Sequence, residues 1–188
     1  RPVEVNRMKY QFGKIAVLIT VLSALFASAK LYAESGESII AYPPHQVKPT
    51  MPSLAPTGLT PTQISRAYGL NYIPFQGENQ VIGIVNAYDN PTIESDLGTF
   101  STQFGLPSCT TGNGCFTKIY ASGSQPPTNA TWALETALDV EWAHAIAPNA
   151  KIILVEAANA SVSALSSAVG VAVNNGATTI SLSWGANE

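Results

Sequence analysis

Four short apolar segments alternate with helical segments between Val81 and Leu182, and this alternation constrains the fold more than any other feature of the chain. The apolar segments cover residues 81–85, 116–120, 151–156 and 178–182. The predicted helices between them cover residues 90–104, 131–146 and 162–173. Strands that are apolar along their whole length are typical of a parallel sheet that helices cover on both faces. The sequence therefore predicts an α/β fold.

The amino-terminal segment has the three-part layout of a secretory signal peptide. Lys9 and Lys14 precede an apolar run of 12 residues, 15–26, and a small-residue cleavage site follows at Ala27-Ser28-Ala29. A transmembrane helix needs about 20 apolar residues, so the run is too short to span a bilayer. We expect residues 1–29 to be a signal peptide with upstream residues. The protein is then secreted, to the periplasm or out of the cell, with no stable membrane insertion after cleavage.

Residues 30–59 are predicted to form a Pro-rich extended leader. Six prolines between Pro43 and Pro61 are too dense for a helix or a central strand. His45 lies in this leader, and we expect its side chain to be solvated. Thr60 and Pro61 then provide the start of a short helix that ends near Gly69.

The charge balance excludes a nucleic-acid-binding protein. Lys and Arg number 9 against 12 Asp and Glu, and the net charge is -3. A protein that binds nucleic acid carries a basic patch instead. Two Cys and two His are also too few for a Cys-rich zinc module, so no metal site is expected in this chain.

Cys109 and Cys115 bracket the turn sequence TTGNG. In an exported protein, two cysteines this close are expected to form a local disulfide. The alternative is a redox-active pair, but the spacing is not C-x-x-C and no basic residue lies beside either cysteine to lower a thiol pKa.

The predicted helix over 131–146 carries two carboxylates four residues apart. Glu135 and Asp139 therefore lie on one helical face, and the helix contains no Lys or Arg. The apolar stripe beside them consists of Leu134, Leu138 and Trp142. A partly buried pair of like charges raises one pKa and tends to share a proton, which suits acid–base chemistry at low pH. The alternative is a solvated acidic face. His144, on the same helix, is expected to be packed or at the surface and not catalytic.

The helix with Glu135 and Asp139 resembles part of a known family. The sequence from Trp132 to Pro148, WALETALDVEWAHAIAP, resembles the sedolisin family of serine-carboxyl peptidases. Three further stretches are similar to the same family: TPTQISRAY before Gly69, VIGIVNAYDNP in the first strand and its continuation, and ISLSWG from Ile180. The resemblance covers about residues 40–188 and rests chiefly on the E-x-x-x-D helix. It implies a subtilisin-like fold in which a Glu replaces the usual His base.

The resemblance also implies a role for each site residue. Glu135 would be the general base for a serine nucleophile, and Asp139 would orient Glu135 and hold the shared proton. A carboxylate base explains operation in acid, where an imidazole would already be protonated. The segment that would pair with an extended protein or peptide substrate is Ser183, Trp184 and Gly185, although an ordinary strand end is the alternative.

The sequence departs from the family pattern in several places. Asn86, at the end of the first strand, stands where the family usually has an Asp or Glu that supports the base; Asn can still donate a hydrogen bond. The G-T-S and G-D-S motifs that hold the family's nucleophile and oxyanion stabiliser do not occur in residues 1–188. The family's calcium site is likewise expected beyond Glu188, so no cofactor is expected in this chain.

These departures lead to an expectation about domain organisation. Residues 60–188 are expected to be the N-terminal part of a sedolisin-like catalytic domain, cut after its fourth strand and continuing past Glu188. The 188 residues alone are expected to be inactive and monomeric. Family members commonly carry a long propeptide, whereas here only about 30 residues separate the predicted signal peptide from Thr60.

The predicted function is therefore that of an exported, acid-acting serine endopeptidase that cleaves proteins or peptides. Two alternatives remain open. One is an exported module from a truncated gene that binds peptides without cleaving them. The other is a glycosidase that uses Glu135 and Asp139 directly; that enzyme needs an open cleft lined by aromatic side chains, whereas Trp132 and Trp142 are placed as core and cleft-edge residues.

Overall fold

In the computed structural model, residues 38–45 and 58–187 are described, and the four apolar segments become the strands of one parallel sheet. The strands are β1 Val81–Ala87, β2 Phe116–Tyr120, β3 Lys151–Ala157 and β4 Thr179–Ser181. Their order across the sheet is β2-β3-β1-β4, so β1 and β3 are central. Ile84 of β1 lies opposite Leu154 of β3 and Ser181 of β4. The predicted α/β class and all-parallel sheet are confirmed; the predicted signal peptide lies outside the described residues.

Within the same described ranges, four α-helices connect or precede the strands. They are α1 Pro61–Ala67, α2 Ile93–Phe104, α3 Ala130–Ile146 and α4 Val162–Asn174. Thr60 caps α1 through a hydrogen bond from the Gln63 amide, and the Gln63 side chain accepts from the Thr60 amide in return. Asn129 caps α3, because its side-chain oxygen accepts hydrogen bonds from the backbone amides of Thr131 and Trp132.

Each face of the sheet has its own apolar core. On one face, α4 contributes Leu165, Ala168 and Ala172 to a buried cluster with Val85 and Val155. On the other face, the helices α2 and α3 cover the strands; the buried residues there include Ile93, Leu97, Val140, Ile84 and Leu154. This double coverage explains why the central strands are mostly apolar, with their polar residues near the strand ends.

Gly83 marks the closest approach of the β4 side to the sheet. A Cβ atom at this position would lie 2.8 Å from Ala177 Cβ and 2.8 Å from Ile180 Cδ1. Only glycine leaves room for this approach, which seats β4 beside β1 and so fixes where the residues after β4 lie.

Cys109 and Cys115 form the predicted disulfide. Their Cα atoms are 4.9 Å apart, and Cys109 belongs to the core cluster under α2 and α3. The bridge joins two residues that are six positions apart, so it restricts the conformational freedom of the unfolded chain only locally.

Replacing both cysteines by serine should lower the free energy of unfolding by about 2 kcal/mol, the loop-closure entropy for a loop of this length. Chemical denaturation of the oxidised protein and of the double variant measures the difference. Reduction of the wild-type disulfide should produce a loss of the same size. An unchanged denaturation midpoint in both cases would contradict a stabilising role.

The described helices include none that has both the length and the hydrophobicity needed to cross a membrane.

Candidate active site

The predicted site residues lie at the carboxyl edge of the sheet. Asn86 is at the end of β1, and the segment Ser183–Gly185 follows β4. Because the strands are parallel, their carboxyl ends meet at one edge, where α/β proteins usually bind ligands. The helix α3 brings Glu135 and Asp139 to this edge.

The buried face of α3 is its carboxylate face and not the apolar stripe. Glu135 is only 2% exposed, whereas Leu134 and Leu138 are 46% and 43% exposed. The other buried residues of the helix are Trp132, Thr136, Val140, His144 and Ala145. The interpretation of Glu135 as part of a solvated acidic face is therefore wrong. Leu134 and Leu138 are exposed because the carboxylate-bearing face of α3 packs against polar side chains at the sheet edge.

Asp139 receives two hydrogen bonds that fix its carboxyl group. The Ser183 hydroxyl donates to Oδ1 at 2.7 Å, and the Asn86 side-chain amide donates to Oδ2 at 2.9 Å. Burial raises the pKa of Asp139, while these two donors oppose the rise by favouring the ionised form. Asn86 is fully buried. Its hydrogen bond goes to Asp139, so it supports the residue beside the predicted base and not Glu135 directly.

Glu135 has a different partner. Burial raises the pKa of its carboxyl group, and the nearby charge of Asp139 adds to the rise. The Nδ1–H group of His45 donates a hydrogen bond to Oε2 of Glu135 and opposes it. Within residues 58–187 the two carboxyl groups make no direct hydrogen bond to each other, so the shared proton stays a prediction.

His45 was expected to be solvated, and this prediction is wrong. Its side chain is 12% exposed and contacts Glu135, which is 90 residues later in the chain. The leader carries no hydrophobic periodicity from which such a contact could be predicted. The described part of the leader, residues 38–45, is paired with the rest of the domain through the bridges of Ile40 with Ser161 and of Tyr42 with Gly185.

The segment after β4 is held by one of its own side chains. The indole Nε1–H of Trp184 donates to the carbonyl oxygen of Val85 at 2.9 Å. This bond ties the segment to β1 and aims the Ser183 hydroxyl at Asp139. The backbone of Gly185 is left at the surface, where it pairs with Tyr42 of the leader.

A second charged cluster at the same edge was not predicted. The Lys118 ammonium lies 2.5 Å from Asp89 Oδ1 and 3.1 Å from Glu156 Oε2. Both carboxylates are buried, and the Gln125 amide and the Asn90 backbone amide donate to them. The sequence did contain a basis for predicting this cluster. Lys118, Glu156 and Asp89 lie in or just after three neighbouring parallel strands, whose carboxyl ends meet at one edge of the sheet.

The pKa values of the two carboxyl groups in this cluster are shifted in opposite directions. Burial raises the pKa of Glu156 to about 7, although Lys118 and the Asn90 amide oppose it. Burial also acts on Asp89, but hydrogen bonds from Lys118 and Gln125 outweigh it and hold the pKa of Asp89 below its usual range. One ammonium facing two buried carboxylates favours a proton on one of them.

These pKa shifts predict how stability depends on pH. A carboxyl group with a raised pKa binds its proton more tightly in the folded state, so its contribution is present at acid pH and is lost as pH rises. For Glu141 and Glu156 the loss spans pH 4.5 to about 7. Asp89, with its lowered pKa, contributes above its ordinary value of 3.8 and loses this contribution as pH falls.

The denaturant midpoint should therefore fall as the pH is raised from 4.5 to about 7. Glu141→Gln should flatten part of this fall, because burial raises the pKa of Glu141 to about 7. Glu78→Gln is the matched control, since backbone and Asn149 hydrogen bonds lower the pKa of this exposed group. A midpoint that rises over this range, or equal slopes for the wild-type protein and Glu141→Gln, would contradict the assignment.

His144 packs under the disulfide and makes no contact with the site. Its Nε2–H donates to the Pro107 carbonyl at 2.8 Å, and its ring is fully buried. Ligand-type atoms of Cys109, Cys115 and His144 lie within 4.8 Å of one another. The two sulfur atoms are bonded to each other, however, and zinc binds thiolates. The disulfide form of this group therefore does not fit a metal ion.

Six residues predicted from the sequence meet at the carboxyl edge: Glu135, Asp139, Asn86, Ser183, Trp184 and Gly185. The arrangement joins a buried, protonatable carboxyl group to a backbone that pairs with an extended chain. Comparison with known proteins found no protein-family model and no curated protein that matches the chain.

Proposed function

We propose that this chain carries the general base and the substrate-pairing segment of an acid-acting serine-carboxyl endopeptidase with a subtilisin-like fold. The observation that carries the proposal is the buried Glu135, whose pKa is raised, beside the fixed carboxyl group of Asp139. A base that works in acid must hold and release a proton in that range, and a raised carboxyl pKa provides this.

In the proposed reaction, Glu135 accepts the proton of a serine hydroxyl as the serine oxygen bonds to the peptide carbonyl carbon. Glu135 then passes that proton to the departing amine as the C–N bond breaks. By the family resemblance, Asp139 would orient Glu135, and its own carboxyl group is held in place by hydrogen bonds from Asn86 and Ser183. The serine nucleophile and the oxyanion stabiliser are assigned to the G-T-S and G-D-S motifs of the resembling family, which residues 1–188 do not contain.

The substrate would lie as an added strand along Gly185. The Gly185 amide and carbonyl both form hydrogen bonds with the backbone of Tyr42, at 3.1 and 2.8 Å. Backbone pairing of this kind accepts any extended peptide and leaves side-chain pockets to select among sequences. It supports proteins and peptides as the substrate class.

The second candidate is a peptide-binding module without catalysis. It is favoured by the same pairing, which needs only backbone groups. A glycosidase is less well supported, because Trp132 is 4% exposed and belongs to the core, so it does not line a cleft.

The test is a peptide-cleavage assay at about pH 4 on the polypeptide that joins residues 1–188 to a G-T-S segment, since a carboxylate base operates in acid. Cleavage that is lost on Glu135→Gln supports the endopeptidase. Peptide binding without cleavage supports the module.

A further inference from the structure

The group formed by Cys109, Cys115 and His144 lies apart from the carboxylate site, among the residues under α2 and α3. Cys109 is 2% exposed and His144 is fully buried, while Cys115 is partly buried beside them. The two cysteines border the turn before β2, and His144 is in the last turn of α3. Folding therefore brings together three potential metal ligands from two separate segments, and their ligand-type atoms lie within 4.8 Å of one another.

The hydrogen bond of the His144 ring determines which of its nitrogens is free. A carbonyl oxygen can only accept, so the 2.8 Å contact with the Pro107 carbonyl places a proton on Nε2. In the neutral ring, Nδ1 then carries a lone pair. Within the described residues this Nδ1 atom is buried and has no hydrogen-bond partner. Buried polar atoms are ordinarily paired, so an unpaired imidazole nitrogen beside two sulfur atoms indicates a ligand atom.

The bond to Pro107 is also the outer contact that a metal-binding histidine ordinarily makes. Such a histidine donates its second ring N–H to a carboxylate or a backbone carbonyl, which fixes the tautomer and orients the ring. Pro107 belongs to the segment that leads into Cys109. The same segment would thus provide one ligand and hold another in its binding orientation.

We propose that the reduced form of this group binds a thiophilic divalent cation of the zinc class through the Sγ atoms of Cys109 and Cys115 and Nδ1 of His144. Two thiolates balance the charge of the ion, and sulfur with imidazole nitrogen is a donor set that zinc prefers over calcium or magnesium. A tetrahedral ion with three protein ligands keeps its fourth position for water or a solute. The proposal does not depend on the peptidase function.

Reduction must come first, because the two sulfur atoms are bonded to each other in the disulfide. A trialkylphosphine breaks the S–S bond by transferring two electrons. The phosphine becomes a phosphine oxide, whose oxygen comes from one water molecule, and the two protons of that water yield two thiols. Metal binding then replaces both thiol protons, so two protons are released for each ion bound.

The spacing of the ligand atoms suits this change. Zinc binds sulfur at about 2.3 Å and nitrogen at about 2.0 Å, which places tetrahedral ligand atoms about 3.5–3.8 Å apart. The sulfur atoms, once released, need to separate, and they remain within reach of the ring. The disulfide links the turn only to itself, whereas a bound ion would link the turn to α3. Binding should therefore restore stability that reduction removes.

The experiment titrates Co²⁺ and then Zn²⁺ into the full chain after phosphine reduction, with no dithiol present to compete for the metal. The reduced chain should bind one Co²⁺ with thiolate charge-transfer absorption and the visible bands of a tetrahedral ion, and Zn²⁺ should displace it. The oxidised chain should show none of these bands. Added Zn²⁺ should raise the denaturation midpoint of the reduced chain and leave that of the oxidised chain unchanged.

His144→Gln isolates the role of the imidazole. The glutamine amide can still donate to the Pro107 carbonyl, but the Nδ1 lone pair is gone. Its affinity for Co²⁺ should fall at least about 100-fold, since even the loss of an outer contact costs a metal site 10–100-fold. His45→Gln is the matched control, because it removes the other histidine, which contacts Glu135, and should leave the affinity unchanged.

X-ray absorption of the zinc-loaded reduced chain tests the same ligand set without a variant. It should show two sulfur atoms at about 2.3 Å and an imidazole nitrogen at about 2.0 Å. Zinc surrounded by oxygen and nitrogen alone would overturn the proposal, as would thiolate bands of equal strength in His144→Gln. Failure of the reduced chain to bind Co²⁺, or loss of binding in His45→Gln, would overturn it as well.

Discussion

Under the proposed function, Glu135→Gln should reduce peptide cleavage at acid pH by about 10³-fold or more in a polypeptide that joins residues 1–188 to a G-T-S segment. Glutamine has the size of glutamate and can accept the His45 hydrogen bond, but its amide cannot take up a proton. The proposed general base is thereby removed with little change in packing. Cleavage rates of the wild-type and variant proteins, measured at saturating peptide, give the factor directly.

Glu141→Gln is the matched control for this substitution. Glu141 is on the same helix and also has a pKa raised by burial, but Asp96 is its charged neighbour and it lies away from the carboxylate pair. The cleavage rate of the Glu141→Gln variant should remain within about twofold of the wild-type rate, because Glu141 contacts neither the peptide-pairing segment nor Glu135. Near-normal cleavage by Glu135→Gln, with loss in Glu141→Gln, would place the base on the other side of α3.

Asp139→Asn separates orientation from proton transfer. The asparagine offers only one acceptor oxygen, so either Asn86 or Ser183 loses its hydrogen-bond acceptor. Glu135 would keep its position less well, and the charge that raises its pKa would be gone. Because this charge is lost, the acid limb of the pH–rate profile should move to lower pH. An acid limb that stays in place would mean that Asp139 only supports the fold.

The sequence predicted the fold well because its strands are determined by local pattern. The run from Lys151 is apolar from Ile152 to Val155 and has no helical period, so it becomes β3, one of the two central strands. Thr60, Pro61 and Gln63 act through neighbouring residues only, and α1 begins where they predict. Signals of this range do not depend on the rest of the chain.

The site was predicted only in part, because its environment is assembled from distant segments. The spacing of Glu135 and Asp139 placed them on one face, but the burial of that face depends on Asn86 and Ser183. An apolar stripe such as the one with Leu134 would ordinarily face the core. The contact of His45 with Glu135 spans 90 residues, and no local pattern in a Pro-rich leader predicts it.

The charged cluster at the ends of β1, β2 and β3 provides the largest expected effect on stability. Lys118→Met should lower the free energy of unfolding at pH 7 by about 3 kcal/mol or more, because it leaves two buried carboxylates without their cation. Asp89 is 1% exposed and Glu156 fully buried, so water cannot replace the ammonium. Methionine matches the length of the lysine stem and keeps its packing.

Two further measurements identify the cause of this loss. Adding Glu156→Gln to Lys118→Met should recover much of the stability, because one buried charge is removed and Asp89 keeps its bond from Gln125. Lowering the pH below about 7 should also reduce the loss, since Glu156 can then take up a proton. Lys151→Met, at the exposed start of β3, is the control and should change little. A Lys118→Met loss equal to that of Lys151→Met, independent of pH and of Glu156→Gln, would mean that the cluster does not hold the strand ends together.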